Sequence, residues 1–291
     1  MARSAVLDAP DVDRVAGDSV DVDELVEPHP RTADARQRTW LSPVLAAILP
    51  VVVLAAWWLA TGQGWIAPQL LVSPWHVVMT FGNLFRTDDL AGQIGVSLAR
   101  AAVGLCIGAG LGLLLGTVVG LYRRGEELLD ASMQMLRTVP FLAVVPLFIL
   151  WLGIGEAPKI LLIALATMFP MYLNASNGVR NVDRRVVEAM RSFGLDGAPL
   201  TRHVIVPLAL PQILTGLRFS MGVSVLALIA AEQINAKSGI GYLLYQAQSY
   251  EQVNVLLVCL FVYCAFGLAA DLIVRVIERV TMPWRAGVAA R

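Results

Sequence analysis

Residues 188–207 read EAMRSFGLDGAPLTRHVIVP, a charged and turn-bearing stretch set between two of the most apolar parts of the chain. The 291 residues around it are 57% hydrophobic and 15% charged, with a mean hydropathy of +0.68. An ordinary soluble domain carries roughly 45–50% apolar residues. The composition therefore reads as an all-α polytopic membrane protein, and a water-compatible stretch in its middle has to lie outside the bilayer. With 22 basic and 22 acidic side chains the net charge is zero, so no basic field argues for nucleic acid as a partner.

Working outward from this stretch, runs with few or no charges and close to the roughly 20 residues that a ~30 Å hydrocarbon layer demands predict about six transmembrane helices. They lie at about 43–60, 98–121, 139–155, 160–179, 209–231 and 255–274. The third is short and carries Pro140 and Pro146, but FLAVVPLFILWLGI is uncharged and an even count keeps the two basic ends on one side. Arginines gather in alternate connections: Arg31, Arg36 and Arg38; Arg123, Arg124 and Arg137; Arg180, Arg184, Arg185, Arg191 and Arg202; Arg275, Arg279 and Arg285. The opposite side offers Arg86, Lys159 and Lys237. Because cytoplasmic loops collect Lys and Arg, both termini and residues 188–207 are expected in the cytosol, with the protein in the cytoplasmic membrane among lipid.

Three regions follow. Residues 1–40 form an acidic tail, with eight acidic residues between Asp8 and Glu27 and no aromatic there, which reads as disordered and solvated. It lacks the basic and apolar order of a signal peptide, so it is expected to stay on the chain. Residues 41–285 form the membrane domain, with a polar connection at about 181–209, and 286–291 are a short C-terminal tail.

Within that connection, VDRRVVEAMRSF (182–193) places Val182, Val186, Ala189, Met190 and Phe193 at helical spacing, with Asp183, Arg184, Glu188 and Arg191 largely elsewhere. Gly194 stands where a helix commonly ends in a left-handed residue. Asp196 is then expected to cap a second short helix with Pro199 in its first turn, and Pro207 and Pro211 to turn the chain back into the membrane. Glu188 alone could simply pair with Arg184, Arg185 or Arg191.

Gly104, Gly108, Gly112, Gly116 and Gly120 recur every fourth residue in the second span. Small residues at this spacing are a common means of close helix packing in lipid, and that reading is preferred to a pore lining. Ionisable groups at membrane depth are suspects for function, since each costs at least ~2.5 kcal/mol to insert. Arg218 sits mid-span, Glu232 ends the fifth span and Asp271 ends the sixth. Arg218 could give an anion a stop on its way through, or hold a structural pair. Glu232 is too far along the same helix to be its partner, so only another span could supply one. Glu232, Gln233 and Asn235 open an external segment that could line the substrate pathway and gate its outer mouth, or form a solvated loop with a short re-entrant helix. Trp65 and Trp75, with Pro68 and Pro74, read as an interfacial aromatic belt.

No phosphate-cradling GxxxxGK[ST] run occurs, and His29, His76 and His203 build no catalytic constellation. The three cysteines, Cys106, Cys259 and Cys264, lie in apolar runs with no metal-ligand spacing. No enzyme, metal site or cofactor is expected in the chain. An ion-coupled secondary transporter, the rival from another class, would want paired carboxylates or broken helices at the midplane.

Glu188-Ala189-Met190, three residues, Gly194, nine residues and then VIVP ending at Pro207 resembles the EAA loop of the membrane subunits of bacterial ABC importers. The chain departs from the family pattern at Met190, Val204 and Val206, each apolar for apolar or small. LRTVPFLAVVPLFILWLGIGEAPKI, MFPMYLNASNGVRNVD, PLALPQILTGLRFSMGVSVLALIAAEQINAKSGIGYLL and ERVTMPWR extend the resemblance from about Ile94 to Arg285. They are similar to the nitrate, sulfonate and taurine branch, and most of all to its aliphatic sulfonate permeases. The resemblance implies a type I importer permease fold in which Glu188, Ala189, Met190, Gly194, Val204 and Pro207 belong to a coupling helix. It also implies a homodimer carrying two ATPase subunits, which bind the ATP and Mg, and an extracytoplasmic substrate-binding protein. An aliphatic sulfonate is the substrate expected; nitrate, taurine, bicarbonate or a thiamine precursor are the alternatives.

Overall fold

The computed structural model describes residues 38–67, 69–87, 89–122 and 125–282. The expected tails at 1–37 and 286–291, and Arg31, Arg36, Arg123, Arg124, Arg285 and Pro68, lie outside the described residues. The chain divides into two units at Ala56. The described part of the first is the start of helix α1 (Arg38–Gly62), so residues 38–40, read as the end of the tail, are helical. Its apolar side chains Leu49, Val51 and Val53 are exposed.

The second unit is helical throughout its described elements. After the end of α1 come α2 (Pro74–Thr87), α3 (Leu90–Leu121), α4 (Ala131–Thr138), α5 (Val145–Leu152), α6 (Glu156–Arg180), α7 (Arg184–Ser192), α8 (Gly197–Leu200), α9 (Val206–Gln233), α10 (Ile240–Ser249) and α11 (Val253–Thr281). Four segments are long and apolar enough to cross a membrane: α3, α6, the continuous run Gly197–Gln233, and α11. Within α1, the apolar stretch Ile48–Gly62 is shorter.

Two expectations about proline are corrected. The third expected span, 139–155, does not cross alone: its helical segment Phe141–Leu152 reaches spanning length only together with Glu127–Thr138, which it meets at 84°. Val139 is extended at the joint, as the residue before a proline prefers to be, and Pro140 has no N–H to carry the ladder on. Counted as one, the bent pair makes a fifth spanning unit. Conversely, Pro207 and Pro211 do not break the chain away. A π-helical turn at Thr201–Ile205 joins α8 to α9, and the wider turn gives the Pro207 ring room beside the preceding carbonyls. Pro211 is accommodated inside α9, where Thr215 Oγ1 donates to its carbonyl at 3.0 Å.

The core is built on α6, which packs α3 on one side and α9 on another. The glycine stripe of α3 faces α6: a Cβ on Gly104 would lie 2.6 Å from Ile163 Cβ, and one on Gly120 2.7 Å from Val179 Cβ. On Gly108, Gly112 or Gly116 it would run into the backbone carbonyls of Ala164, Met168 or Tyr172. The missing side chains let the two backbones approach closely, and α6 answers with Ala164, Ala175 and Ser176. On the other flank Ser220 Oγ of α9 donates to the Thr167 carbonyl of α6 at 2.9 Å, a buried hydroxyl satisfied across the interface.

Candidate functional site

Two constellations stand out, one on the polar connection and one buried between helix ends. In the first, Asp183 caps α7, its carboxylate accepting from Arg185 N–H at 2.9 Å. The helix closes with Leu195 N–H on the Met190 carbonyl (3.1 Å) and Gly194 N–H on the Arg191 carbonyl (2.9 Å), the paired bonds of a Schellman motif. Gly194 takes φ +81°, a left-handed conformation that a residue with a Cβ adopts only at a cost. Asp196 stands at the cap position of α8 in an extended conformation but makes no capping bond; its carboxylate lies 3.6 Å from Arg191 instead.

Glu188, Ala189 and Gly194 are exposed, Met190 and Pro207 half-buried and Val204 buried. Among the described residues none of Arg184, Arg185 or Arg191 forms an ion pair with Glu188. Its carboxylate borders a cavity of about 810 Å³ whose walls include Arg180, Arg184, Arg191, Val187 and Ile205. At the tip, Phe193 is 80% exposed. The described residues thus leave a capped helix that carries an exposed carboxylate and an exposed aromatic ring.

The second constellation centres on Arg100, a residue that the sequence reading missed. It lies at the start of the second apolar run and is 4% exposed. Its Nη1 donates to Glu232 Oε1 at 2.7 Å and to the Ser238 carbonyl at 2.6 Å, and its Nη2 donates to Glu156 Oε1 at 2.7 Å. Lys159 Nζ holds the same Glu156 oxygen at 3.0 Å. Glu232 also accepts from the Ser97 hydroxyl (2.7 Å) and from Gly241 N–H (2.8 Å), and Ser97 in turn accepts from Ile240 N–H at 2.8 Å. Gln93 Oε1 accepts from Gly239 N–H. Glu232 thereby anchors the start of α10, where helix N–H groups would otherwise lack acceptors. Chemically this is a closed pin: carboxylates and guanidinium are matched, and the ends of α3, α6 and α9 are tied to the segment that leads into α10. Gln233 and Asn235, grouped with Glu232 in the sequence, are exposed and outside it, Asn235 at φ +53°.

Arg218 does find its partners on another span. Its Nη2 lies 3.0 Å from Glu278 and its Nε 3.4 Å from Asp271, both on α11, while Arg275 also holds Asp271 at 2.6 Å. Arg218 remains 45% exposed. Among the described residues no group of three His, Cys, Asp or Glu side chains is placed to hold a metal ion.

Residues 108–282, which take in most of α3 and run through α11, match the model of the binding-protein-dependent transport system inner membrane component. The chain belongs to this family. The permease is 47% identical over 247 residues, 85% of this chain and 94% of the relative, to the putative aliphatic sulfonates transport permease protein SsuC of Escherichia coli (strain K12). It is 42% identical over 246 residues (84% and 88%) to the protein of the same description from Bacillus subtilis (strain 168). The taurine transport system permease protein TauC of Escherichia coli (strain K12) is 34% identical over 242 residues, 81% of this chain and 88% of that one. Among solved structures, a chain of an amino acid ABC transporter crystallised with histidines superposes with a TM-score of 0.56 at 17% identity, over 68% of this permease and 97% of that chain. That likeness is one of fold.

Proposed function

We propose that this permease carries aliphatic sulfonates inward across the cytoplasmic membrane as one subunit of an ATP-binding-cassette importer. The observation that carries the substrate class is the identity, over most of both chains, to two permeases described as carrying aliphatic sulfonates. Coupling falls to α7. Two ATPase subunits, which bind ATP and Mg, close on nucleotide, and the exposed Glu188 and Phe193 seat α7 on one of them. Gly194 and the Asp183 cap keep α7 rigid, and the continuous helix Gly197–Gln233 passes the displacement to the membrane core. This is alternating access by rigid-body motion. A second copy of the permease serves the second ATPase subunit, both termini lie in the cytosol, and an extracytoplasmic binding protein delivers the anion to the opposite face.

The bent pair is the one feature that favours an ion-coupled carrier, whose helices are often broken at the site. Such a carrier needs carboxylates free to take up and release an ion. Here Glu232 and Glu156 are bound by Arg100 and Lys159, and Asp271 and Glu278 are bound by Arg218.

Uptake of labelled ethanesulfonate, with taurine and nitrate as competitors, tests the proposal in cells carrying the wild type or Gly194→Val. Valine at φ +81° costs about 1–2 kcal/mol and loosens the end of α7. The expected result is uptake that requires ATP, yields to sulfonates in preference to nitrate, and falls several-fold in the variant while the protein still inserts. Uptake that persists without an ATPase partner would establish the carrier instead, and indifference to Gly194→Val would remove α7 from coupling.

A further inference from the structure

Between the bent pair and the faces of α6 and α9 lies a cavity of about 700 Å³, within the range of small-molecule sites. Phe141 and Phe148 come from beyond the bend, Phe169 from α6 and Phe219 from α9, and together they make one wall apolar. At the bend itself stands Arg137, exposed and, among the described residues, without an ion-pair partner. Arg100, Lys159, Arg218 and Arg275, by contrast, each hold a carboxylate. Asn174, the other polar residue of the lining, is already engaged: its Nδ2 donates to the Pro170 carbonyl at 2.8 Å and its Oδ1 accepts from Gln212 at 2.9 Å. The cavity thus presents one uncommitted guanidinium beside an aromatic, water-poor wall.

We infer that this cavity is a binding site within the permease for an organic anion with an apolar tail, Arg137 taking the charged head and the four phenylalanines the hydrocarbon. The inference rests on the sulfonate reading and adds to it a place and a rule of selection. A sulfonate keeps its charge at any physiological pH and offers three oxygens to a planar, weakly hydrated guanidinium, whose fork of donors suits them. Its alkyl chain gains from burial by up to about fourfold in affinity per methylene. Nitrate has the charge and no tail. Taurine would bring an ammonium against phenylalanine rings, where the cation–π attraction offsets only part of the cost of losing its water.

The test is equilibrium binding of labelled hexanesulfonate and ethanesulfonate to the assembled permease–ATPase complex in lipid nanodiscs, without binding protein, so that upstream selection is absent. Wild type is expected to bind hexanesulfonate saturably and more tightly than ethanesulfonate. Arg137→Gln should weaken both by about tenfold. Phe219→Ala, at a position 59% exposed, should weaken hexanesulfonate several-fold and ethanesulfonate by clearly less. Equal affinity for the two chain lengths, or indifference to both variants, would overturn the site. So would non-saturable uptake of label, which would mean partition into lipid, or a smaller assembly in size exclusion for both variants, which would make the cavity a subunit contact. ATP-driven ethanesulfonate uptake by the wild-type complex separates the two levels: uptake without an effect of the variants removes the site alone, and no sulfonate uptake removes the substrate reading beneath it.

Discussion

Arg100 is held by Glu232, Glu156 and the Ser238 carbonyl, so removing its guanidinium strands a carboxylate that is 1% exposed with only hydroxyls and an amide for company. Breaking a buried ion pair from one side costs about 3–5 kcal/mol, whereas replacing both partners by apolar residues is often nearly neutral. Arg100→Met should therefore lower the thermal midpoint of the detergent-solubilised permease markedly, and Arg100→Met with Glu232→Gln should recover part of the loss, since the neutral amide still accepts from Ser97 and Gly241 N–H. Equal losses in the single and double variants would mean that the pair is not the unit holding these helix ends. In the sequence, Arg100 sits at the edge of an apolar run, and the rule that singled out Arg218 and Glu232 applies to it equally. That rule marks cost, not partner. Arg100 and Glu232 meet across 132 positions, and nothing local to either names the other.

Helix α3 owes its place to what it lacks. A Cβ on Gly108 would fall onto the Ala164 carbonyl and the Thr167 hydroxyl of α6, while one on Gly110, two residues on, would meet nothing within 4 Å. Gly108→Val should cost about 1–3 kcal/mol by overpacking and reduce the yield of folded permease. Gly110→Val should be close to neutral, and similar yields for the two would show that α3 and α6 can part without penalty. The period of four made the stripe legible, because side chains four apart share a helix face. Prolines were less so: Pro140 sits at an 84° bend and Pro211 inside an unbroken helix, since a lost backbone bond bends a helix only where neighbouring packing leaves the new direction free. Trp75 and Pro74, two members of the expected aromatic belt, open helix α2, which Val77 and Leu84 anchor in the core.

At the scale of the molecule, orientation decides whether α7 can meet an ATPase. With Cys106, Cys259 and Cys264 replaced and the permease expressed without its ATPase partner, Phe193→Cys, at a position 80% exposed, should react with a membrane-impermeant maleimide in inverted vesicles and not in intact cells. Labelling from outside would reverse the topology and detach α7 from the compartment that holds ATP. The sequence by itself determined that the protein is a helical membrane protein with a polar helix, read over 182–193 and ended by Gly194, because apolar run length and capping chemistry act over a few turns of chain and leave their mark locally; the permease reading came from its resemblance to a family. Only the tertiary structure decided that Glu232 is neutralised by Arg100, that Arg218 binds α11, and that the bend at Pro140 sets Arg137 beside a wall of phenylalanines. Those are contacts between residues far apart in the chain, and their partners are chosen by how helices pack, which no single helix encodes.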